Sequence, residues 1–222
     1  MSNAGRFIAI EGVDGAGKGV QSRLLQQALQ QCGLSVLLTR EPGGSPGAEE
    51  IRQLLVRGAV DKWDTMTELL LVYAARRDHL VKTIRPALAA GQWVISDRFA
   101  DSSRAFQGAA GGLGLEAVDR MHREVVGDFV PDLTIVLDLD PAISLQRARL
   151  RGDSEDRFEK KGEDYQRNVR ACFRQLALRS PSTHCLIEAD GSVEAVALAI
   201  RQVVAARLQL PALLPLQPGG TA

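Results

Sequence analysis

Phe7-Ile8-Ala9-Ile10-Glu11-Gly12-Val13-Asp14-Gly15-Ala16-Gly17-Lys18-Gly19 is the stretch on which the reading of this chain turns. A short apolar run ends in GVDGAGK and a helical pattern starts at Lys18, the strand–loop–helix setting that a phosphate-binding loop requires. Gly12, Gly15 and Gly17 let the backbone curl so that successive N–H groups point inward at a phosphate. The N-terminus of the next helix adds its positive dipole end, and Lys18 adds a full charge. One position departs from the usual pattern. The motif normally closes on Lys-Ser or Lys-Thr, whose hydroxyl ligates Mg2+, whereas Gly19 and Val20 follow Lys18 here. Either a carboxylate and water replace the hydroxyl, or metal binding is weakened. A glycine this close to a helix start also costs about 1 kcal/mol relative to alanine.

Outward from the loop, short β-branched or apolar runs alternate with helical patterns, the signature of a parallel α/β sheet. The expected strands are Phe7–Ile10, Val36–Thr39, Trp93–Ser96, Leu133–Leu139 and Cys185–Ile187. Several are apolar on both faces, as strands covered by helices on each side are. Between them the periodicity predicts helices over Lys18–Gln31, Ala48–Val56, Thr67–Ala90, Glu116–Val126, Pro141–Arg151, Asp164–Leu178 and Val193–Leu208. Gly91 reads as a C-terminal stop, and Pro141 as a first-turn proline. The expected fold is a three-layer α/β domain: a five-stranded parallel sheet with helices on both faces. No repeat or linker divides residues 1–210, which read as a single domain, with loops at Gly108–Gly114 and Arg151–Glu163. Residues 211–222, rich in proline and glycine and free of charge, read as a flexible C-terminal tail.

In an open α/β sheet, ligands bind at the carboxyl ends of the strands. The Trp93–Ser96 run delivers Asp97 and Arg98 to such an end. An acid there can hold hydrated Mg2+, and an arginine can fork onto a phosphate.

Composition narrows the classes further. Lys plus Arg and Asp plus Glu both number 27, so the 222-residue chain has no net charge. That balance argues against a nucleic-acid coat or a polybasic membrane binder, which need a standing positive field. Of the 27 cations 22 are arginine, a mild lean toward anionic ligands. No apolar run nears the ~18 residues of a membrane span, and no signal-peptide pattern opens the chain. Cys32, Cys172 and Cys185 are odd in number and lack metal-ligand spacing, as buried or half-buried thiols in a reducing cytoplasm would be.

Several motifs, taken in order, resemble the thymidylate kinase family in its bacterial form. They are Gly12–Lys18, Thr39-Arg40-Glu41-Pro42-Gly43-Gly44, Tyr73-Ala74-Ala75-Arg76, and Asp97-Arg98-Phe99 running through Ser102-Ser103 to Ala105-Phe106-Gln107. Arg147-x-Arg149-x-Arg151-Gly152 with Asp156-Arg157-Phe158-Glu159 resembles the lid of the bacterial enzymes, at about residues 147–162. The likeness runs over residues 6–208, and the Asp97–Gln107 stretch is its most specific part.

The resemblance implies a phosphate-loop nucleoside monophosphate kinase fold. It also implies in-line transfer of phosphate from ATP to dTMP, with Mg2+, in a cytoplasmic homodimer. ATP would be held by Gly12, Val13, Asp14, Gly15, Ala16, Gly17, Lys18 and Gly19, with Arg147 from the lid. The dTMP side would comprise Asp14, Pro42, Arg52, Tyr73, Arg76, Arg98, Ser102, Ser103 and Phe106. Lys18, Asp97, Arg98, Arg151 and Arg157 would be the catalytic set, and the metal would meet Asp97 and, through water, Asp14. ATP and dTMP together bring about six negative charges at neutral pH, and this set of cations answers them. Many members carry Phe four residues before the motif arginine, where this chain has Val72 and then Tyr73. Either Tyr73 substitutes as the wall that stacks on thymine or another wall is used. Phe106 stands where Tyr is commoner, and an apolar ring there would crowd a ribose 2′-hydroxyl. The competing readings are a kinase for another nucleoside monophosphate, and a nucleotide-binding regulator weakened by Gly19.

Overall fold

The computed structural model describes residues 5–144, 146 and 157–213. Strand β1 (Phe7–Gly12) is buried along its whole length. Alternation of side chains sends Ile8 and Ile10 into one core cluster and Phe7 and Ala9 into another. One strand therefore builds two cores, which is why its apolar run shows no period-two pattern.

β2 (Val36–Arg40), β3 (Trp93–Asp97), β4 (Leu133–Asp138) and β5 (His184–Glu188) complete the sheet. The order is β2-β3-β1-β4-β5, and every pairing is parallel. The five expected strands all form, each within two residues of the expected ends. Register sets Ile10 opposite Asp97, so the phosphate loop and the Asp-Arg segment leave the sheet at adjacent points.

The helices are α1 (Lys18–Gln31), α2 (Pro46–Val56), α3 (Thr65–His79), α4 (Arg85–Ala89), α5 (Ala100–Ser103), α6 (Leu115–Val125), α7 (Glu163–Arg179) and α8 (Val193–Arg207). Residues from α1, α7 and α8 pack on the Ile8–Ile10 side, and residues from α3 and α6 on the Phe7–Ala9 side. Asp64 caps α3 by accepting from the Met66 and Thr67 N–H groups, and Ser192 caps α8 at Ala195.

The structure departs from the sequence reading in the helices after α3 and α5. The long helix expected at Thr67–Ala90 is broken into α3, a π-type turn at Leu80–Ile84, and α4. Pro86 sits in the first turn of α4 and cannot donate to the turn before it. Beyond α5, the π-type segment Arg104–Ala110 takes in the first residues of the loop expected at Gly108–Gly114. Residues 141–144 and 146 are helical, and the other residues of the expected Pro141–Arg151 helix lie outside the described residues. In the tail, Pro211–Leu213 is a short 3-10 turn with Leu213 buried.

His122 on α6 is buried against the rings of Tyr73 and Phe99. Burial, then the charges of Arg104 and Arg76, hold its pKa down at about 4, against 6.5 in an open chain. Between those values the unfolded chain takes up a proton that the fold refuses, so stability falls as pH drops from 6.5 toward 4. Thermal melts of His122→Phe should therefore lose less Tm between pH 7 and pH 5 than the parent loses. Parallel losses would show that His122 is not the acid-sensitive group.

Candidate active site

The loop between β1 and α1 is shaped by close approaches that exclude side chains. Gly12 (φ 139°) and Gly15 (φ 81°) would each place a Cβ within 2.4 Å of a backbone oxygen, that of Leu137 and of Ser144 respectively. Gly17 (φ 85°) then serves as the left-handed residue from which α1 starts. Lys18 folds back across the loop, its Nζ donating to the Val13 carbonyl at 2.7 Å. Burial, then the neighbouring Arg98 charge, bring its pKa down to about 8, while Asp97, Asp14 and Glu11 pull the other way. The resting loop thus holds a desolvated cation that an anion would welcome.

Arg98 follows β3 with φ 74°, a conformation rare for a residue with a side chain. Its own amide donates to the Ile10 carbonyl at 2.9 Å and its carbonyl accepts from Ser96 Oγ at 2.7 Å. Nη1 donates to the Gly12 carbonyl (3.0 Å) and to Ser102 Oγ (2.9 Å), and Nη2 to Asp14 Oδ1 (2.6 Å). The guanidinium also lies 4.8 Å from the Phe106 ring centre. Arg98, Asp14 and Lys18 all open onto one cleft of about 570 Å3.

The far wall of that cleft is built on α2, α3 and the loop after β2. Arg52 Nη1 donates to the Pro42 carbonyl at 2.7 Å, fixing the loop against α2. Arg76 is fully engaged and 1% exposed: Nε donates to Glu41 Oε2 (2.6 Å), Nη1 to Ser103 Oγ (2.9 Å) and Nη2 to the Phe99 carbonyl (2.8 Å). Glu41 in turn meets His79 Nδ1 at 3.1 Å, and His79 Nε2 meets Thr39 Oγ1 at 2.7 Å. Burial alone would raise the Glu41 pKa, but Arg76 and His79 outweigh it and keep the group below its ordinary range. Pro42, Arg52, Ser102, Ser103 and Phe106 line the cleft as expected.

Gly12, Val13 and Ala16 of the loop are not among the cleft's lining, and neither are Tyr73 and Arg157. Tyr73 turns into the core, 1% exposed, with its hydroxyl donating to the Val118 carbonyl at 3.4 Å. Its ring lies 4.6 Å from the Arg76 guanidinium carbon; the apolar walls of the cleft include Val72, Phe99, Phe106 and Phe158. On α3 the step from 72 to 73 swings a side chain by ~100°, which is enough to exchange cleft for core. Arg157 is wholly buried, donating to Glu68 Oε1 (2.7 Å) and to the carbonyls of Leu55, Ala59 and Val60. Lys161 reaches the same Glu68 carboxylate at 2.9 Å. Arg157 is thus an anchor between the segment after β4 and the α2–α3 connection, not an arginine facing the cleft. Arg147 and Arg151 lie outside the described residues.

The departure at Gly19 has a physical setting. A Cβ on Gly19 would lie 3.3 Å from Asp97 Oδ2, so the Asp97 carboxylate already occupies the space beside the place a serine side chain would start. Among the described residues no group of three or more metal-ligating side chains gathers. Asp97 and Asp14, both opening on the cleft, fit Mg2+, which keeps most of its waters and takes one or two carboxylates together with phosphate oxygens.

Sequence reasoning passed over Glu11, Glu41, His79 and Glu68, all essentially buried. Glu11 did leave a signal: it is the one acid inside an otherwise apolar strand, and a buried acid needs partners. Those partners are the Phe99 and Ser102 N–H groups and the Ser102 hydroxyl.

A glycine loop with a buried lysine, facing an arginine-lined second wall across one cleft on a 2-3-1-4-5 parallel sheet, defines a phosphate-loop kinase of nucleotide-sized substrates. A family model described as thymidylate kinase matches residues 10–200, and the chain belongs to that family. Thymidylate kinase of Caulobacter vibrioides is 50% identical over 206 residues, 93% of this chain and 99% of the relative. That of Ruegeria pomeroyi is 48% identical over 208 residues, 94% and 98% of the two chains. The crystal structure of thymidylate kinase from Ehrlichia chaffeensis superposes with a TM-score of 0.75 at 31% identity, covering 90% of this chain and 99% of that one.

Lys18 makes nucleotide binding pH-dependent in a defined direction. Its pKa near 8 in the free protein means that ATP must recruit a protonated lysine from a shrinking fraction above pH 8. By calorimetry, ATP affinity should weaken about tenfold between pH 7 and pH 9. Lys18→Met should bind more weakly at pH 7 and show a flat profile; a parent profile equally flat would remove Lys18 from the phosphate site.

Proposed function

We infer that this chain transfers the γ-phosphoryl group of ATP to dTMP, giving dTDP and ADP. The observation that carries this reading is the Lys18–Asp14–Arg98 constellation. It sets a donor-phosphate loop and an acceptor-phosphate arginine side by side at adjoining strand ends. Phosphoryl transfer asks little covalent chemistry of a protein: it needs alignment of donor and acceptor oxygens and neutralisation of charge.

In this reading the glycine loop and the α1 N-terminus receive the ATP phosphates and Lys18 answers their charge. Arg98 exchanges some of its present contacts for the dTMP phosphate, while Asp14 stays within reach of both nucleotides. Arg52, Pro42 and Arg76 shape the acceptor side. Val72, Phe99 and Phe106 give the base and sugar an apolar wall that disfavours a 2′-hydroxyl. Asp97 and Asp14 would hold Mg2+, which would supply charge neutralisation to the phosphates. Arg147 and Arg151 are assigned to the ATP phosphates from their place after β4. Arg157 holds the return of that segment in place.

The family's homodimer is supported here by Met66 and Leu70, one turn apart on α3 and 40% and 51% exposed. Such apolar side chains are natural material for an interface between copies. No helix among the described residues is long and apolar enough to cross a membrane.

A coupled ADP-release assay with ATP and titrated Mg2+ tests this reading against dTMP, dUMP, UMP, dCMP and thymidine. Turnover should saturate with dTMP, and kcat/KM should exceed that for UMP and dCMP by about 100-fold or more. ATP binding without turnover on any acceptor would overturn it.

A further inference from the structure

Glu11 lies at the centre of the acceptor side without reaching the cleft. Its Oε1 accepts from the Phe99 N–H at 2.8 Å and the Ser102 N–H at 3.1 Å, and Oε2 accepts from the Ser102 hydroxyl at 2.6 Å. The direction of that last bond is fixed by the next residue in line. Arg98 Nη1 lies 2.9 Å from Ser102 Oγ, and a guanidinium can only donate. The serine oxygen must therefore accept from Arg98, which leaves its single proton for Glu11. Both carboxylate oxygens then accept hydrogen bonds from others, an arrangement that suits an ionised Glu11.

We propose that Glu11 is a positioning residue for the acceptor phosphate: its ionised carboxylate orients the Ser102 hydroxyl, which in turn holds the Arg98 guanidinium in place. The proposal rests on the dTMP kinase reading above and deepens it. Glu11 also fastens the backbone immediately after Arg98, at the one point of the site where a side-chain-bearing residue takes φ 74°. Releasing Phe99 and Ser102 would let that conformation relax. The charged groups that face Glu11 are Asp101 on α5, Arg98 after β3, Lys18 on α1 and Arg76 on α3. Burial and then Asp101 raise its pKa, against Arg98 and the bonds from Ser102 and Phe99. Protonation at Oε2 would turn it into a donor and displace the Ser102 proton, ending the charge-assisted bond that orients the hydroxyl toward Glu11. Acidification thus disables the acceptor site through Glu11 as well as through the substrate phosphate, whose second pKa is near 6.

Glu11→Gln conserves the shape and removes this polarity, because an amide N–H would point at the serine oxygen. The kcat/KM for dTMP should fall about 30-fold, mostly through KM, while the ATP dissociation constant stays within twofold. The acid limb of kcat/KM for dTMP should drop from two ionisations to one. Ser102→Ala should weaken dTMP use by about tenfold and lose the same ionisation, and the double variant should be no worse than the poorer single one. A Glu11→Gln protein with the parent's dTMP KM and acid limb, or losses that multiply in the double variant, would overturn the proposal. Should Glu11→Gln fail to fold, Ser102→Ala decides alone: parental KM and acid limb reject the relay. The parent is assayed first, since a parent that does not phosphorylate dTMP would fail the functional reading itself.

Discussion

Arg98 joins the two halves of this molecule's chemistry from a backbone conformation that favours glycine. At φ 74° it is one of two described residues with a side chain in the left-handed region, and such a position costs of order 1–3 kcal/mol unless its surroundings enforce it. Here they do. The Arg98 amide continues the β1–β3 pairing to Ile10, Ser96 closes over its carbonyl, and the guanidinium spans Gly12, Ser102 and Asp14. A glycine would adopt the backbone without strain and keep the two backbone bonds, but provide none of the guanidinium's. The strain is therefore tied to the side chain: only this turn points a forked cation from the end of β3 back over the phosphate loop.

The cations of the site are matched to carboxylates before any nucleotide arrives. Arg98 has Asp14, Arg76 has Glu41, and Lys18 feels Asp97 and Asp14. Buried pairs of this kind contribute little net stability, since the loss of solvation offsets the attraction. What they provide is geometry. Arg76 with 1% exposure and four polar or aromatic neighbours cannot choose another rotamer, so the acceptor wall is rigid where recognition is needed. Asp14 and Lys18 both line the cleft.

Legibility in the sequence followed how local each determinant is. The phosphate loop and the five strands were readable because glycine spacing and apolar runs act over a few residues, and Lys18–Gln31 formed as predicted. Tyr73 misled because a run such as Leu69–Tyr73 is apolar on every side, so its periodicity does not say which residue faces ligand. Arg157 misled for the opposite reason. Its partners, Glu68 and the carbonyls of residues 55–60, lie about a hundred residues away, and a charge-rich segment shows nothing of them. The π-type segment after α5 was unreadable from periodicity, since a widened turn breaks the 3.6-residue rhythm on which helix reading relies. Gly19 looked unmotivated in the sequence; its neighbour Asp97 is 78 positions away and adjacent only through the β1–β3 register.

In the proposed reaction Arg98 receives the acceptor phosphate by its fork, and Arg98→Lys isolates that role. Lysine keeps the charge and loses the second donor arm. The kcat/KM for dTMP should fall about 100-fold or more with ATP affinity retained. A lysine variant that phosphorylates dTMP as well as the parent would contradict it.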